Sequence, residues 1–391
     1  MSEQDESLSH LLPVDGGTLV GRLRLPGSDL PRVVVVSQGH AYDVSSRYLT
    51  VAQLLNEKNA LVATQPIAHL DPLLGSAEAL IRDSLHPRAE SSVPGLLAPC
   101  DLQAVKASGV TFLISLQERV IEEAVRGDAA RAQEIRARLK PEIDAALRGV
   151  RPGTPAAERA KTWLIERGLW SQYLEVAIGP DAEIFTKAQP MSSVGFGSDI
   201  GILRSSVWNN PEPEIVLAIN ARGEVIGATL GNDVNLRDIE GRSGLLLGKA
   251  KDNNGSCAIG PFIRLFDETF GIDEVRSAEV ELWIRGTDRF ELRATSHMSL
   301  ISRDPLDLAR QAIGPHHQYP DGLMLFLGSM FAPTQDRDEA GKGFTHHLGD
   351  VVTIRTPRLG TLVNRVSYCD AIAPWTYGLS ALLRSARAVR P

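Results

Sequence analysis

The sequence predicts an α+β protein in which two β-rich segments flank a helical block. Residues 18–25 alternate apolar and polar side chains with a period of two, and residues 32–37 form a β-branched run, as is typical of strands. Apolar residues then recur at helical spacing across residues 102–173. Short β-branched segments separated by Gly, Asn, Asp and Pro follow over residues 184–366. The mainly antiparallel sheet is expected in this last segment.

These changes of pattern predict three regions along the chain. We expect a small β-rich N-terminal domain at residues 1–100, a helical connecting or lid region at residues 101–175, and a larger β domain at residues 176–391. With 391 residues the chain is long enough for two folding units at about 100–200 residues each.

Composition and charge exclude several classes of partner. The 41 Lys and Arg residues face 48 Asp and Glu residues, which gives a net charge of −7 and no basic stripe for a nucleic acid. No apolar run approaches the roughly 20 residues of a membrane helix, and the acidic N-terminus lacks the positive charge of a secretory signal. We therefore expect a cytoplasmic protein with no nucleic-acid or membrane partner. The three widely spaced cysteines indicate reduced thiols.

The helical block contains recognisable start and stop signals. A first helix is indicated by apolar residues at helical spacing, namely Leu116, Val120 and Ile121. A second is expected from residue 129 to residue 140, where Pro141 interrupts it. Thr154 resembles an N-cap followed by proline at the first helical position, which predicts a third helix reaching about residue 168.

Carboxylates are concentrated around one predicted hairpin. Glu212 and Glu214 are two residues apart at the entry to a strand, so a period of two directs both to the same face. The turn at residues 220–223, if centred near residue 222, places Glu214 opposite residue 230 and Glu212 opposite residue 232, with Asp233 next in sequence. Three converging carboxylates repel one another unless a hard cation such as Mg²⁺ or Mn²⁺ lies between them. By spacing alone, Glu-x-Glu also fits a solvated strand face.

The residues around these carboxylates resemble the fumarylacetoacetate hydrolase family. The pair Glu212-Pro-Glu214 is followed by Asn232-Asp233-Val-Asn-Leu-Arg237, then by Lys251 five residues before Ser256 and Gly260-Pro261. The segments at residues 348–352 and 359–366 are similar to the family's closing motifs, so the resemblance covers about residues 180–370. It implies the family's mainly antiparallel β-roll around a metal, with a smaller β-rich N-terminal domain.

The resemblance also implies roles for individual residues. The implied ligands of Mg²⁺, or of Mn²⁺, are Glu212, Glu214 and Asp233. The implied catalytic residues are Lys251, Glu118 and Arg237, and the implied substrate-binding residues are Ser256, Ser329, Arg119 and Lys187. Lys251 would transfer the C3 proton or stabilise an enolate, and desolvation beside a cation would depress its pKa. For Arg237, a structural ion pair with Asp238 or Glu240 is an equal alternative.

Two departures from the family pattern favour one branch. Family hydrolases carry Asn-Tyr-x-x-His-x-x-Glu on a lid helix, whereas the segment ending in Glu118 has Ser115 at the histidine position. The family's Thr-Gly-Thr-Pro turn is replaced by Gly328-Ser329-Met330. The base that activates hydrolytic water is therefore missing. The chain most resembles the sugar-acid dehydratases, which implies conversion of 2-keto-3-deoxypentonate to 2,5-dioxopentanoate through a metal-stabilised enolate, in pentose degradation.

Two other functions remain open from the sequence. One is a hydrolase that cleaves acylpyruvates or 2,4-dioxo acids, with Glu118 or His297 activating water. The other is a catalytically silent binding or structural protein that keeps only the fold. The resemblance further implies a small 2-oxo acid as substrate and assembly as a homodimer or homotetramer.

Overall fold

A computed structural model describes residues 10–67, 69–85, 93–331, 333–339 and 342–389. Its strands are β1 Leu19–Arg24, β2 Arg32–Ser37, β3 His40–Asp43, β4 Leu73–Ser76, β5 Gly95–Leu97, β6 Ala104–Ser108, β7 Ile184–Ala188, β8 Asp199–Ile202, β9 Asn209–Asn210, β10 Pro213–Ile219, β11 Val225–Asp233, β12 Asn235–Leu236, β13 Cys257–Leu265, β14 Glu279–Arg285, β15 Glu291–His297, β16 Leu323–Phe326, β17 Val351–Thr356 and β18 Gly360–Tyr368.

The α-helices are α1 Val51–Leu55, α2 Ala60–Ala63, α3 Ala77–Asp83, α4 Leu113–Ala124, α5 Ala132–Leu147, α6 Pro155–Glu166, α7 Gln172–Ile178, α8 Arg237–Glu240, α9 Leu247–Lys251, α10 Ile272–Arg276, α11 Pro305–Ala312 and α12 Leu379–Val389. Short 3₁₀ turns lie at Ala129–Arg131, Gly244–Leu246 and Met298–Leu300. Helices and sheets together confirm the α+β class. No helix in the described part of the chain is both long and apolar enough to cross a bilayer.

Most strands form one large sheet in which antiparallel pairing dominates. Its order is β4-β3-β2-β1-β13-β11-β10-β16-β6-β7, with β5 also paired to β1, and β16 with β6 is its parallel pair among the described strands. The N-terminal strands therefore continue into the central strands through the pairing of β1 with β13. A second sheet has the order β15-β14-β17-β18-β8. The β-roll and the three domain boundaries stay predictions.

Several local expectations are confirmed at residue level. The β-branched run is β2, with the predicted bounds Arg32–Ser37. Thr154 caps α6 by accepting a hydrogen bond from the backbone N–H of Ala157, and Pro155 occupies the first turn of this helix. Both features rest on interactions between near neighbours in sequence, which is why the pattern predicts them.

The expected interruption at Pro141 is wrong. Helix α5 continues through this proline from Ala132 to Leu147. Proline removes one backbone donor, but Pro141 lies on the exposed side of the helix. The opposite side buries Leu139, Ile143 and Leu147 in the core of the helical block. The burial of this apolar stripe outweighs the lost hydrogen bond.

The predicted hairpin register is wrong by one residue. Glu214 pairs with Gly231 rather than residue 230, and the backbone N–H of Asp233 donates to the carbonyl of Glu212 at 2.9 Å. The register shifts at a bulge between Ala218 and Ile219, close to the turn. One extra residue on one strand changes every pair beyond the bulge. As a result, Glu212 and Asp233 lie opposite each other.

A buried acid fixes the loop that leads into β17. Asp350 is fully buried and accepts hydrogen bonds from Arg337 Nη1 at 2.6 Å and Nη2 at 2.8 Å. It also contacts His346 Nδ1 at 3.1 Å. Burial acts to raise the pKa of Asp350, but Arg337 and His346 outweigh it and lower this pKa to about 2.

We predict that Asp350→Asn destabilises the protein by about 3 kcal/mol at pH 7, because it removes the buried one of the two carboxylates that pair with Arg337 and leaves the partly exposed Asp288. A carboxyl whose folded-state pKa is depressed stabilises the fold above its unfolded pKa of about 3.9, and this contribution is lost as the pH falls towards about 2. Urea denaturation across pH 7 to pH 2 should therefore show wild type and variant converging in acid.

Asp370→Asn is the matched control, since Asp370 forms an exposed ion pair with Arg204. This substitution should change stability little at any pH. An equal loss of stability in the two variants would contradict the structural role of Asp350.

Candidate active site

Three carboxylates converge where β10 begins and β11 ends. Glu212 immediately precedes β10, Glu214 lies in it, and Asp233 is the last residue of β11. One oxygen from each lies within 4.8 Å of the others. All three side chains are buried, with relative exposures of 1%, 0% and 2%. The structure thus brings together the three predicted metal ligands, and they do not form a solvated strand face.

Basic side chains surround this acidic triad. Lys251, the last residue of α9, donates to Glu212 Oε2 and to Asp233 Oδ2, the latter at 3.0 Å. Arg119 of α4 donates to Glu212 Oε1. Lys187 of β7 places its Nζ 2.8 Å from Asp233 Oδ1. Glu212 and Asp233 each have cationic partners, whereas Glu214 has no ion pair among the described residues.

This uneven compensation favours a bound cation. Burial raises the pKa of Glu214 well above its usual range, and the nearby Asp233 and Glu212 raise it further. Burial acts in the same direction on Glu212, but Arg119 and Lys251 outweigh it and lower its pKa. A hard divalent ion prefers carboxylate oxygens as ligands, and its charge would favour the ionised form of Glu214. The triad therefore fits Mg²⁺ or Mn²⁺.

The turn after β16 orients two of the carboxylates. The backbone N–H of Gly328 donates to Glu214 Oε2 at 2.7 Å, and Ser329 Oγ donates to Glu212 Oε2 at 2.7 Å. Gly328 has φ +103°, and a Cβ there would lie 2.0 Å from Thr111 Oγ1, so glycine is required. Ser329, predicted to bind substrate, lines the cavity, but its hydroxyl donates to Glu212, a predicted metal ligand.

The contacts that the structure shows raise the pKa of Lys251, whereas the depressed pKa expected for this lysine beside a cation stays a prediction. Burial does act to lower the pKa of this amine, but Asp233 and Glu212 raise it by more. Two carboxylates in direct contact with an ammonium stabilise its charge more than desolvation opposes it. Lys251 is therefore a cation in this arrangement.

Arg237 and Glu118 lie together but outside the residues that line the cavity. Arg237 Nη2 donates to Glu118 Oε2 at 2.7 Å, and Arg237 Nε donates to Glu122 Oε1 at 2.6 Å. The alternative ion pairs with Asp238 or Glu240 are not the ones formed. Arg136 also binds Glu118 through two hydrogen bonds, at 2.8 Å and 2.7 Å. Burial opposes it, but these guanidinium groups lower the pKa of Glu118.

The remaining predicted substrate-binding residues make internal contacts. Ser256 Oγ donates to the carbonyl oxygen of Lys251 at 2.7 Å and thereby fixes the end of α9. Lys187 is fully buried and donates to the carbonyl oxygens of Val234, at 3.2 Å, and of Lys251. Arg119 does line the cavity. The substrate-binding roles of these residues stay predictions.

The cavity also contains two acids that the sequence reasoning missed. Glu183 and Glu240 line it together with Ser115, Arg119 and Lys251. Glu240 Oε1 forms an ion pair with Arg119 Nε at 3.1 Å, yet burial raises the pKa of Glu240 to about 7. The available signal for Glu183 was spacing, because residues 183, 185 and 187 alternate onto one face as β7 begins.

Glu183 lines the cavity without a polar partner for its carboxyl among the described residues. Its carboxyl makes no hydrogen bond or ion pair within the described ranges, although it lies so close to Gly109 that a Cβ there would be 1.8 Å from Oε2. Burial raises the pKa of Glu183, although Arg119 and Lys251 act against it. A carboxyl with a raised pKa beside a metal-binding triad is suited to proton transfer.

The chain was compared with protein families and with curated relatives. No family model matches the chain. The 2-dehydro-3-deoxy-D-arabinonate dehydratase of Saccharolobus solfataricus is 32% identical over 184 residues, which are 47% of this chain and 58% of that protein. A probable 2-keto-3-deoxyxylonate dehydratase of Haloferax volcanii is 29% identical over 202 residues, 52% of this chain and 66% of the relative. The matches thus span less than two thirds of each relative.

Solved structures extend the similarity to the whole fold. The chain superposes on 2-keto-3-deoxy-D-arabinonate dehydratase complexed with magnesium and 2,5-dioxopentanoate with a TM-score of 0.61, at 20% identity, covering 90% of this chain and 99% of that one. Fumarylacetoacetate hydrolase from Exiguobacterium antarcticum gives a TM-score of 0.56 at 18% identity, with coverages of 90% and 99%. The chain therefore has the fold of these two solved structures. Its sequence resemblance to sugar-acid dehydratases is also confirmed.

We predict that Glu214→Gln weakens Mg²⁺ or Mn²⁺ binding by more than about tenfold, because it removes one of three ligand charges while keeping the side-chain shape. Isothermal titration of the metal-free protein measures this directly. Glu279→Gln, at a half-exposed position paired with His297, is the matched control and should bind metal as wild type does. Equal affinities in all three proteins would contradict the assigned ligands.

Proposed function

We propose that the protein is a metal-dependent hydro-lyase that removes water from a 2-keto-3-deoxy sugar acid and forms 2,5-dioxopentanoate from 2-keto-3-deoxypentonate. The observation that carries the proposal is the cavity itself, where two members of the acidic triad, Glu212 and Asp233, face the same small space as the Lys251 ammonium and the Glu183 carboxyl. The names and sequences of the dehydratase relatives support it.

Binding of the substrate follows from the donor set. Glu212, Glu214 and Asp233 would hold Mg²⁺, or Mn²⁺, which when bound withdraws electron density from a 2-oxo group and so acidifies the neighbouring C3–H. Arg119 and Lys251 line the same cavity as cations, so they would attract the substrate carboxylate and stabilise the negative charge that develops as C3 loses its proton.

Elimination also requires a group that moves a proton. The C3–H and C4–O bonds break, a C3–C4 double bond forms, and the departing hydroxyl needs a proton to leave as water. The resulting 5-hydroxy-2-oxo-3-enoate becomes 2,5-dioxopentanoate by tautomerisation, in which C5 loses a proton and C3 gains one, and the C4–C5 enol then moves its hydroxyl proton to C4. Glu183 can take the C3 proton as a carboxylate and return it to the hydroxyl, because its raised pKa brings it closer to neutral pH. No second acid is then required.

Cleavage of a carbon–carbon bond is less well supported. Ser115 lines the cavity at the position of the family histidine and has no basic nitrogen. Glu118 is held by Arg136 and Arg237, and His297 is half-exposed and paired with Glu279. None of the candidate bases for hydrolytic water is therefore placed to act. A role in pentose degradation, a cytoplasmic location and a homodimer or homotetramer belong to the same proposal.

We predict that purified protein with Mg²⁺ converts 2-keto-3-deoxypentonate to a product that keeps all five carbons and lacks one water. In D₂O the product should carry deuterium, since a C3 proton exchanges during elimination and later tautomerisation. Mass spectrometry measures both. Faster formation of two shorter acids from an acylpyruvate would overturn the proposal in favour of a hydrolase.

We predict that Lys251→Met and Glu183→Gln each lower kcat by more than about 100-fold, because one loses the ammonium and the other the exchangeable carboxyl proton. Lys249→Met is the matched control, since Lys249 is exposed two residues away, and it should retain wild-type turnover. Loss of activity in Lys249→Met with retention in Lys251→Met would show that the proton-transfer assignment is misplaced.

A further inference from the structure

An apolar pocket lies beside the active-site cavity and has no role in the reaction described so far. It has a volume of about 170 Å³ and lies between the start of α4, the ends of α5 and α7, and the 3₁₀ turn at Met298–Leu300. Most of its lining is aliphatic or aromatic, including Phe112, Leu116, Leu147 and Ile178. A sugar acid presents hydroxyl groups, which such a lining does not satisfy.

The pocket offers almost no polar group to a ligand. Ser302 supplies the one side-chain hydroxyl among its lining residues in the described part of the chain. That hydroxyl already donates to the carbonyl oxygen of Thr111 at 2.8 Å. A cavity of about 150 Å³ lined by Leu, Ile and Phe side chains stays dry and binds benzene. By size and lining, the pocket therefore suits an apolar group of up to about one phenyl ring.

Val110 lines both the pocket and the active-site cavity. Contacts hold the residues on both sides of Val110 in place. Gly109 packs against Glu183, and Thr111 Oγ1 donates to the carbonyl oxygen of Leu327 at 2.6 Å. Between them Val110 has φ +45°, which is rare for a β-branched residue. Val110 thus lies between the two spaces on strained backbone, next to the start of α4.

The outer rim of the pocket is apolar as well. Leu300 is 63% exposed and Leu113 is 37% exposed, and both line the pocket. An apolar ligand that covered these exposed side chains would remove apolar surface from water, which is favourable in free energy. The pocket therefore borders the active-site cavity at Val110 on one side and is bounded by uncovered leucines on the other.

We propose that this pocket binds the apolar end of a 2-oxo acid whose carboxyl and keto groups lie at the acidic triad. The protein would then accept, besides the short sugar acid, 2-oxo acids that carry a butyl-sized to phenyl-sized group beyond C5. The inference rests on the proposed function only for the position of the acid group.

The test uses two 2-oxo acids that lack a leaving hydroxyl, so binding is measured without turnover. With Mg²⁺ present, calorimetry gives the dissociation constants of 2-oxopentanoate and 5-phenyl-2-oxopentanoate. We expect the phenyl compound to bind about tenfold more tightly to wild type. Leu147→Phe fills the pocket from α5 and should abolish this difference. Val150→Phe fills the pocket from the loop after α5 and replaces Leu147→Phe in the test if that variant does not fold.

Ile165→Phe is the matched control, because Ile165 is 52% exposed on α6 and does not line the pocket; it should keep the tenfold difference. Equal affinities of wild type for the two acids, or a difference retained in both filled variants, would overturn the inference. Turnover of 2-keto-3-deoxypentonate by the same proteins is measured in a separate assay. Its absence would count against the proposed function, whereas its presence without phenyl selectivity would count against the pocket alone.

Discussion

The charge balance of three buried carboxylates is the constraint on which the rest of the structure depends. Glu212, Glu214 and Asp233 are almost fully excluded from water, and the strand register forces them within 4.8 Å of one another. Such a cluster is stable only when cations compensate it. Lys251, Lys187 and Arg119 supply part of the compensation from three different elements. Glu214 accepts a hydrogen bond from the Gly328 N–H but has no cationic partner among the described residues, and its pKa is raised; a metal ion would supply the missing positive charge.

The same charges join the helical block to the sheet. Helix α4 directs its apolar residues, such as Val120 and Ile121, into the core of the block. Its buried polar residues form ion pairs outside the block instead, Glu118 and Glu122 with Arg237, and Arg119 with Glu212. Removing one partner of a buried pair costs about 3–5 kcal/mol. The position of α4 over the triad is therefore set by ion pairs, and Glu118 contributes to that anchoring.

Anchoring α4 in this way also shapes the space available to a ligand. The helix presents Ser115 and Arg119 to the small polar cavity, and Phe112 and Leu116 to the apolar pocket on its other side. Val110 precedes the helix and borders both spaces. One short segment therefore separates a site for charged groups from a site for apolar groups. Which substrates bind would depend on how far Val110 and the start of α4 can move.

The sequence by itself determined the features that depend on near neighbours. A period of two aligned Glu212 with Glu214, and Thr154 with Pro155 began α6 where expected. Tertiary structure decided the rest. Pro141 stays helical because of core burial, a bulge sets which residue faces Glu214, and Arg237 meets Glu118 across 119 residues of sequence. Glu183 becomes a titratable group of the cavity through burial beside Gly109. Contact between distant residues depends on how whole elements pack, and no local pattern contains that information.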